Sequence, residues 1–285
     1  MRRLIVNADD VGADKARNAG IFEAVKNGVV TSVSILANGP AFDDAISQIK
    51  LTNKNTISYG LHINLSEGKP ISSGLKTVKG SDGSFFGKSY AIEFFSRKND
   101  FALEEDINME IDAQMKKLIN TGIKVSHLDG HHHIHIFPAV INAAIGIAKR
   151  YKIPWIRVPE EERPSYGCLS TTDELTLEAE LFSRFGSEAR ALIKAKGIGT
   201  TEHFRGLYLK GRLSLMVMEE MFKTLPDGLT EFMTHPGYAL KEGSNIYFAR
   251  FSNPDREKEL EILLHPGFRE MIEKYNIMLT PFPEE

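Results

Sequence analysis

The chain alternates short runs of apolar and β-branched residues with longer segments in which apolar residues recur every three or four positions. The short runs predict strands, and the longer segments predict amphipathic helices that pack against them. Most of the short runs lead directly into a polar or acidic residue. Eight strands are predicted, at residues 4–8, 32–37, 57–63, 124–128, 154–158, 201–204, 230–233 and 277–280.

Four of the helices have the clearest patterns. Residues 102–120 place apolar side chains on one face, and Gly122 follows as a left-handed stop. Asn253 and Pro254 predict the start of a helix that ends at Leu264. The remaining two helices are predicted at residues 16–27, before Gly28, and at residues 139–150.

Strands that alternate with helical crossovers predict an α/β fold with a parallel sheet. An irregular (β/α) TIM-like barrel accommodates eight strands most economically, as one domain over residues 1–285, and a doubly wound open sheet is the alternative. Two long segments, at about residues 66–101 and 160–200, interrupt the pattern. They predict insertions that cover or shape a functional site.

Composition excludes several classes of protein. The 285 residues include 35 Lys and Arg against 38 Asp and Glu, so no excess of basic residues points to a nucleic-acid partner. The single cysteine, Cys168, excludes an intrachain disulfide and suits a reducing compartment. No apolar run reaches the length of a membrane span, and the N-terminus lacks the apolar core of a signal peptide. We therefore expect a cytoplasmic protein without a membrane partner.

Polar residues at the predicted strand ends are the candidates for chemistry. Asp9 and Asp10 follow the first strand, and adjacent carboxylates that are partly buried are most simply kept ionised by a bound cation. The alternative is that one of them caps the next helix and the other is solvated. His62 ends the third strand, and Asn64 is predicted to lie on the same side of it. His235 ends the seventh strand, where an imidazole suits general acid or base work.

Five of the nine histidines lie between His127 and His135. Neutral imidazole is the commonest metal ligand in proteins, so this cluster predicts a metal site. In an extended strand His127, Asp129 and His131 share one face, whereas a helical turn would also bring His127 and His131 together. For the other three, His132, His133 and His135, structural hydrogen bonding is expected. The sequence contains no phosphate-binding loop, dinucleotide fingerprint or serine-esterase elbow.

Four segments together resemble the YdjC-like carbohydrate deacetylase family. They are VNADDVG at 6–12, GLHINL at 60–65, SHLDGHHHIHIFP at 126–138 and MTHPGY at 233–238, and matches recur in the same order from residue 4 to about 282. Val11 stands where Phe is common in the family, and Gly130 where Ser is frequent. The resemblance implies a fold and metal site similar to those of the polysaccharide deacetylases, and hydrolysis of acetyl groups from N-acetylated sugars or oligosaccharides such as chitooligosaccharides.

The resemblance also implies roles for individual residues. Asp9 would be the catalytic base and His235 the general acid, while a divalent ion would be bound by Asp10, His62 and His131. The substrate-binding or supporting residues expected beside them are Asn64, His127, Asp129 and Arg157, with His127 also a lower-ranked alternative ligand and Arg157 either a sugar contact or an ion-pair partner.

The family implies Mg²⁺, but two imidazoles and a carboxylate favour Zn²⁺, so Mg²⁺ is expected with Zn²⁺ as its rival. A homodimer is implied as well. Two alternatives to a deacetylase remain. One is another metal-dependent barrel enzyme acting on sugars, such as an isomerase or a phosphoesterase, and the other is a carbohydrate-binding protein without catalysis.

Overall fold

The computed structural model describes residues 1–27, 29–52, 57–97, 101–165, 173–240 and 254–284. All eight predicted strands are confirmed within these ranges, with ends that differ by a few residues. The strands are β1 (Arg2–Val11), β2 (Ser32–Ile35), β3 (Ser58–Ile63), β4 (Val125–Gly130), β5 (Trp155–Ile156), β6 (His203–Arg205), β7 (Gly228–Thr234) and β8 (Ile277–Leu279).

The four predicted helices are confirmed as α1, α4, α5 and α8, although Gly28 and Asn253 lie outside the described residues. The described helices are α1 (Lys15–Lys26), α2 (Phe42–Lys50), α3 (Lys88–Phe95), α4 (Phe101–Ile119), α5 (Ile141–Tyr151), α6 (Glu174–Ala195), α7 (Leu215–Lys223), α8 (Pro254–Leu264) and α9 (Pro266–Lys274). Gly122 follows α4 with a φ of 83°, in the left-handed region expected of a helix stop. Within the described ranges, no helix combines the length and apolar character that crossing a bilayer requires.

The strands form one parallel sheet in the order β5-β4-β3-β2-β1-β7-β6, with β8 also paired to β1. Among the described strands β5 and β6 do not pair with each other, so strand pairing alone leaves the barrel open between them. Gly199 crosses part of this gap, because its carbonyl accepts from Ile156 N and its own N–H donates to Pro154 O. Eight parallel strands that alternate with helices in one sheet, with this one partial gap among the described strands, confirm the predicted irregular (β/α) TIM-like barrel.

The centre of the barrel contains polar side chains as well as apolar ones. His127, Asp129, Arg157 and Glu231 are all fully buried. The end of the barrel opposite the carboxyl ends of the strands is plugged by Phe282, whose ring stacks on His127 at 4.1 Å between centroids and whose N–H donates to Ser58 Oγ. Access to the polar interior is thus left to the carboxyl ends of the strands, where active sites of such barrels lie.

The two segments that were predicted to be insertions contain α3 and α6. Two carboxylates of α4 hold residues 71–77 of the first segment. Asp106 accepts hydrogen bonds from Lys76 N and Thr77 N. Glu110 accepts hydrogen bonds from Ile71 N and Ser72 N. An ion pair between Lys88 and Glu178 joins α3 to α6. The two segments therefore contact each other.

Candidate active site

The end of β1 turns two consecutive carboxylates toward the same region. Pairing with β2 shifts between Ala8 and Val11, so that three steps along β1 match two steps along β2. Asp10 lies within this bulge and has a φ of 70°, which is uncommon for a residue other than glycine. Without the bulge, neighbouring side chains of a strand would point to opposite faces. Instead Asp9 Oδ2 lies 4.0 Å and Asp10 Oδ1 lies 3.4 Å from His62 Nε2.

Asp10, His62 and His131 bring three potential ligand atoms together. Asp10 Oδ1 is 2.8 Å from His131 Nδ1, and one potential ligand atom from each of the three residues lies within 4.8 Å of the others. All three side chains are buried. Asp10 Oδ1 receives no well-aligned hydrogen bond from the described part of the chain. A buried carboxylate oxygen that faces two imidazole nitrogens fits a divalent cation.

Two arginines orient the Asp10 carboxylate. Asp10 Oδ2 accepts a hydrogen bond of 3.1 Å from Arg256 Nη2 and lies 3.5 Å from Arg17 Nη1. Burial would raise the pKa of Asp10, but His131, His62 and Arg17 together hold that pKa well below its ordinary value. The arginines face one oxygen, so the other is left directed at the imidazoles. Neither arginine was predicted from the sequence.

Asp129 fixes the imidazole of His62 from the far side. Its Oδ1 is 2.8 Å from His62 Nδ1, and its Oδ2 accepts from Ser34 Oγ. Burial alone would lower the pKa of His62, but Asp129, Asp9 and Asp10 raise it to about 10. Burial would raise the pKa of Asp129, and the charges of Arg157 and His62 instead hold it well below its ordinary value. This carboxylate–histidine pairing is common behind metal ligands, and a bound cation would compete with the His62 proton.

Glu67 has the corresponding position behind His131, and it was not predicted from the sequence. Its Oε2 lies 3.3 Å from His131 Nε2. The predicted residue Asn64 holds the turn that carries Glu67, since Asn64 Oδ1 accepts from Ser66 N and Glu67 N. Glu67, His131 and His132 also form a second group of potential ligand atoms. The one sequence signal that could have indicated Glu67 is its position two residues after the GLHINL motif.

Arg157 is an ion-pair partner in the barrel interior. Its Nη1 and Nη2 donate to the two oxygens of Asp9 at 2.7 Å each, and its Nε donates to Glu231 Oε1 at 2.7 Å. Asp129 Oδ2 lies 2.9 Å from Arg157 Nη2. Arg157 has no exposed surface, and its contacts with three carboxylates agree with the ion-pair alternative rather than with contact to a sugar hydroxyl. Asp9 Oδ1 also accepts from Asn7 Nδ2, which fixes the plane of its carboxylate.

His235 follows the end of β7 and is held by its backbone. Its N–H donates to Glu259 Oε2 at 2.6 Å, and its carbonyl accepts from Arg256 Nη1. Among the described residues, no group hydrogen-bonds to Nδ1 of its ring. Burial, with the nearby charges of Lys210 and Arg256, lowers the pKa of His235 well below its ordinary value. The ring is therefore neutral at rest.

His127 lies deeper in the barrel than the cluster suggested. It precedes Asp129 by two residues on β4, which places it roughly 7 Å farther from the strand end. Its Nδ1 is 2.8 Å from Ser126 Oγ and its Nε2 is 3.3 Å from Ser34 Oγ. Burial lowers the pKa of His127 to about 3. His127 is not in the group of potential ligand atoms formed by Asp10, His62 and His131. Its ring packs against Gly60, where a Cβ atom would lie only 2.2 Å from the ring.

The other histidines of the cluster lie in the segment His131–Ile136, where two short 3₁₀ turns are separated by a kink at His132 and His133. His132 and His133 both have a φ of 54°, and strained backbone of this kind is concentrated at functional sites. His135 Nε2 donates to the Arg157 carbonyl at 3.0 Å, His132 Nδ1 is 3.0 Å from Ser66 Oγ, and His133 packs on Phe182. Their packing and hydrogen bonds agree with the structural roles expected of them.

The polar groups surround a small cavity of about 30 Å³, which adjoins a larger cleft of about 810 Å³. We call these the inner cavity and the outer cleft. The inner cavity is lined by Asp9, Gly130, five histidines (His62, His131, His132, His133 and His235), Leu175, Glu178, Ala179, Phe182, Leu207, Lys210 and Met233. The two spaces share Leu175, Glu178, Lys210 and His235. A ligand in the outer cleft can therefore extend toward the candidate metal ligands.

Comparison with known proteins gives a consistent result. The family model described as YdjC-like protein matches residues 3–274. A carbohydrate deacetylase of Brevibacillus brevis is 30% identical, over 99% of this chain and 99% of its own length. A carbohydrate deacetylase of Mus musculus is 31% identical, over 97% of this chain and 93% of its own.

Among solved structures, one from Enterococcus faecalis, described as a cellobiose-phosphate cleavage protein, has a TM-score of 0.75 and 25% identity. The superposition covers 99% of this chain and 97% of that one. The family match extends over nearly the whole chain and includes all four motifs described above. The chain belongs to the YdjC-like family.

Proposed function

We propose that this protein is a metal-dependent hydrolase that removes acetyl groups from N-acetylated sugars or oligosaccharides, of the chitooligosaccharide type. Relatives across the full length of the chain are named carbohydrate deacetylase, which supports deacetylation of a carbohydrate. The observation that carries the proposal is the Asp10 oxygen that faces two imidazoles, with Asp9 and His235 lining the adjoining cavity.

The donor set suits one divalent ion. Asp10 Oδ1, His62 Nε2 and His131 Nδ1 are the atoms that would hold it. A bound ion would lower the pKa of a water molecule and polarise the acetyl carbonyl. Mg²⁺ is the ion we propose and Zn²⁺ is the rival, because family membership favours the first and the two imidazoles favour the second.

Asp9 is proposed as the base. Its carboxylate lines the inner cavity beside His62, and the fork of Arg157 holds it in one orientation. A base that is held in this way can take the proton of an attacking water without first losing conformational freedom.

His235 is proposed as the acid that protonates the departing sugar nitrogen. The ring is neutral at rest because burial, Lys210 and Arg256 lower its pKa. Negative charge that develops on the acetyl oxygen in the same cavity raises the affinity of the ring for a proton. His235 can then receive the proton that Asp9 removed from the attacking water and pass it to the nitrogen, so that the amine leaves as a neutral group and Asp9 is again ionised.

The apolar wall of the inner cavity fits the methyl of an acetyl group. Phe182, Leu207 and Met233 line the cavity together with the polar residues. Lys210 is the one lysine or arginine among the described lining residues, whereas a phosphate is usually held by several cationic or N–H donors. The lining therefore favours an acetyl group over a phosphate, and a deacetylase over a phosphoesterase.

The test is release of acetate from a panel of N-acetylated chitooligosaccharides. We expect acetate release that a chelator abolishes and that Mg²⁺ or Zn²⁺ restores. Sugar phosphates and aldoses assayed in parallel identify a phosphoesterase or an isomerase. Binding of the glycans without release of acetate, phosphate or an isomer would instead indicate a carbohydrate-binding protein.

A further inference from the structure

Two aromatic rings stand exposed on the wall of the outer cleft. Phe86 is 44% and Tyr90 41% exposed, although most large apolar side chains among the described residues are buried. Their centroids are 4.4 Å apart, and the ring planes are tilted by 42°. Both residues line the outer cleft, so the exposed rings face the space that leads to the inner cavity.

The two rings are held in place from the core outward. Tyr90 stacks on Phe94 at 5.1 Å, and Phe94 contacts Phe95, which is buried. The segment is fastened at both ends, because Gly87 N donates to Ser66 O and Phe95 O accepts from Ala139 N. Rings that are fixed in this way lose little conformational entropy when a ligand stacks on them.

The polar lining of the same cleft suits a sugar. Lys88, Ser89, Glu174 and Glu178 supply donors and acceptors, and the Lys88–Glu178 ion pair fixes two of them. A pyranose ring has an apolar face of C–H groups and an edge of hydroxyls. Exposed aromatic rings beside paired polar groups are complementary to both parts.

We propose that Phe86 and Tyr90 form a subsite that stacks on a sugar ring of the substrate while the N-acetyl group of a neighbouring ring enters the inner cavity. The four residues that the two spaces share allow one ligand to reach both. The placement of the acetyl group rests on the proposed function, whereas the stacking does not require hydrolysis. The subsite makes the enzyme prefer oligosaccharides to N-acetylated monosaccharides.

The experiment compares the wild type with a Phe86→Ala/Tyr90→Ala double variant. Phe101→Ala is the matched control, because Phe101 is 83% exposed on α4 and is not among the residues that line the cleft. KM and kcat are measured with N-acetylglucosamine and with tri-N-acetylchitotriose, and binding of the trisaccharide is measured by calorimetry. We expect the double variant to raise KM and Kd for the trisaccharide about tenfold, with a much smaller change in kcat and in KM for the monosaccharide.

Tyr90→Phe keeps the ring and is expected to retain trisaccharide binding close to that of the wild type, and circular dichroism checks that each variant is folded. Equal losses on both sugars, an unchanged Kd for the trisaccharide in the double variant, or a wild type that does not bind the trisaccharide would overturn the subsite. A wild type that binds the trisaccharide through these rings without releasing acetate would leave the subsite standing and contradict the proposed function.

Discussion

Asp9 and Arg157 are 148 residues apart in sequence and are joined by two hydrogen bonds of 2.7 Å in the interior of the barrel. The same guanidinium bonds to Glu231 and lies 2.9 Å from Asp129. The buried guanidinium of Arg157 therefore contacts three buried carboxylates. Removal of such a cation leaves uncompensated charge, which is far more costly than the loss of an exposed ion pair.

Arg157→Lys should impair catalysis and stability together. An ammonium cannot bond to both oxygens of Asp9 and also to Glu231, so the base loses its fixed orientation. We expect kcat/KM for acetate release to fall on the order of 100-fold and the free energy of unfolding to fall by about 3 kcal/mol. Arg150→Lys is the control, because Arg150 forms an exposed pair with Asp112 and should change either quantity little. Wild-type kcat/KM in Arg157→Lys would show that the fork does not position the base.

Glu67→Gln should weaken metal binding. Glu67 Oε2 lies behind the His131 ring, and loss of such a partner typically lowers metal affinity by about 10- to 100-fold. Calorimetric titration with Mg²⁺ and with Zn²⁺ measures the effect. Glu93→Gln, on the exposed face of α3, serves as the control. Equal affinities in the wild type and in Glu67→Gln would mean that Glu67 does not support a metal ligand.

His235→Asn should lower kcat without removing the metal. Loss of a general acid typically costs about 10²- to 10⁴-fold, and His235 is not among the grouped ligand atoms around Asp10. His203→Asn is the control, because His203 bonds to the Asp227 carbonyl near the start of β7 and does not line the inner cavity. Measurement of kcat together with bound metal tests this, and a kcat within threefold of the wild type would exclude His235 as the acid.

Glu161 should make stability depend on pH. It is buried, its Oε2 accepts from Leu207 N, and burial raises its pKa from 4.5 to about 7. Since the folded protein binds this proton more tightly than the unfolded chain, the stabilisation is fully present below pH 4.5 and is lost as the pH rises through about 7.

Between pH 5 and pH 8 this group should cost about 2 kcal/mol in the free energy of unfolding. Glu161→Gln should remove that part of the pH dependence, and the exposed neighbour Glu162→Gln should retain it. Urea unfolding at the two pH values measures the difference. The same pH dependence in Glu161→Gln as in the wild type would show that this carboxyl ionises normally.

The strand ends were predictable because parallel strands of a barrel bring their carboxyl ends together. By this rule residues that end different strands, such as Asp9, His62 and His235, are expected to lie at one end of the barrel, and all three line the inner cavity. The rule could not predict the bulge in β1, since no residue in VNADDVG signals a φ of 70° at Asp10. Nor could the rule show that His127 lies away from the candidate metal ligands, because a strand face shared with Asp129 does not specify depth in the barrel.

The residues that surround the predicted ones were beyond sequence reasoning. Arg256 bonds to Asp10 across 246 positions, and Arg17 approaches it from the first turn of α1. Both contacts depend on how helices pack on the barrel, which no local pattern encodes. Glu67 lies in an insertion whose conformation depends on Asn64 and on the backbone around it. Recognition of the motifs therefore identified the candidate ligands but not the charges that orient them.

The most direct test of the central claim is acetate release from tri-N-acetylchitotriose by the wild type and by Asp9→Asn, with bound metal measured in the same samples. Asp9 lines the cavity but is not in the group formed by Asp10, His62 and His131. We therefore predict that Asp9→Asn retains the ion and stays folded while acetate release falls by about 10²-fold or more. Acetate release by Asp9→Asn at the wild-type rate, or by a wild type stripped of metal, would contradict the account.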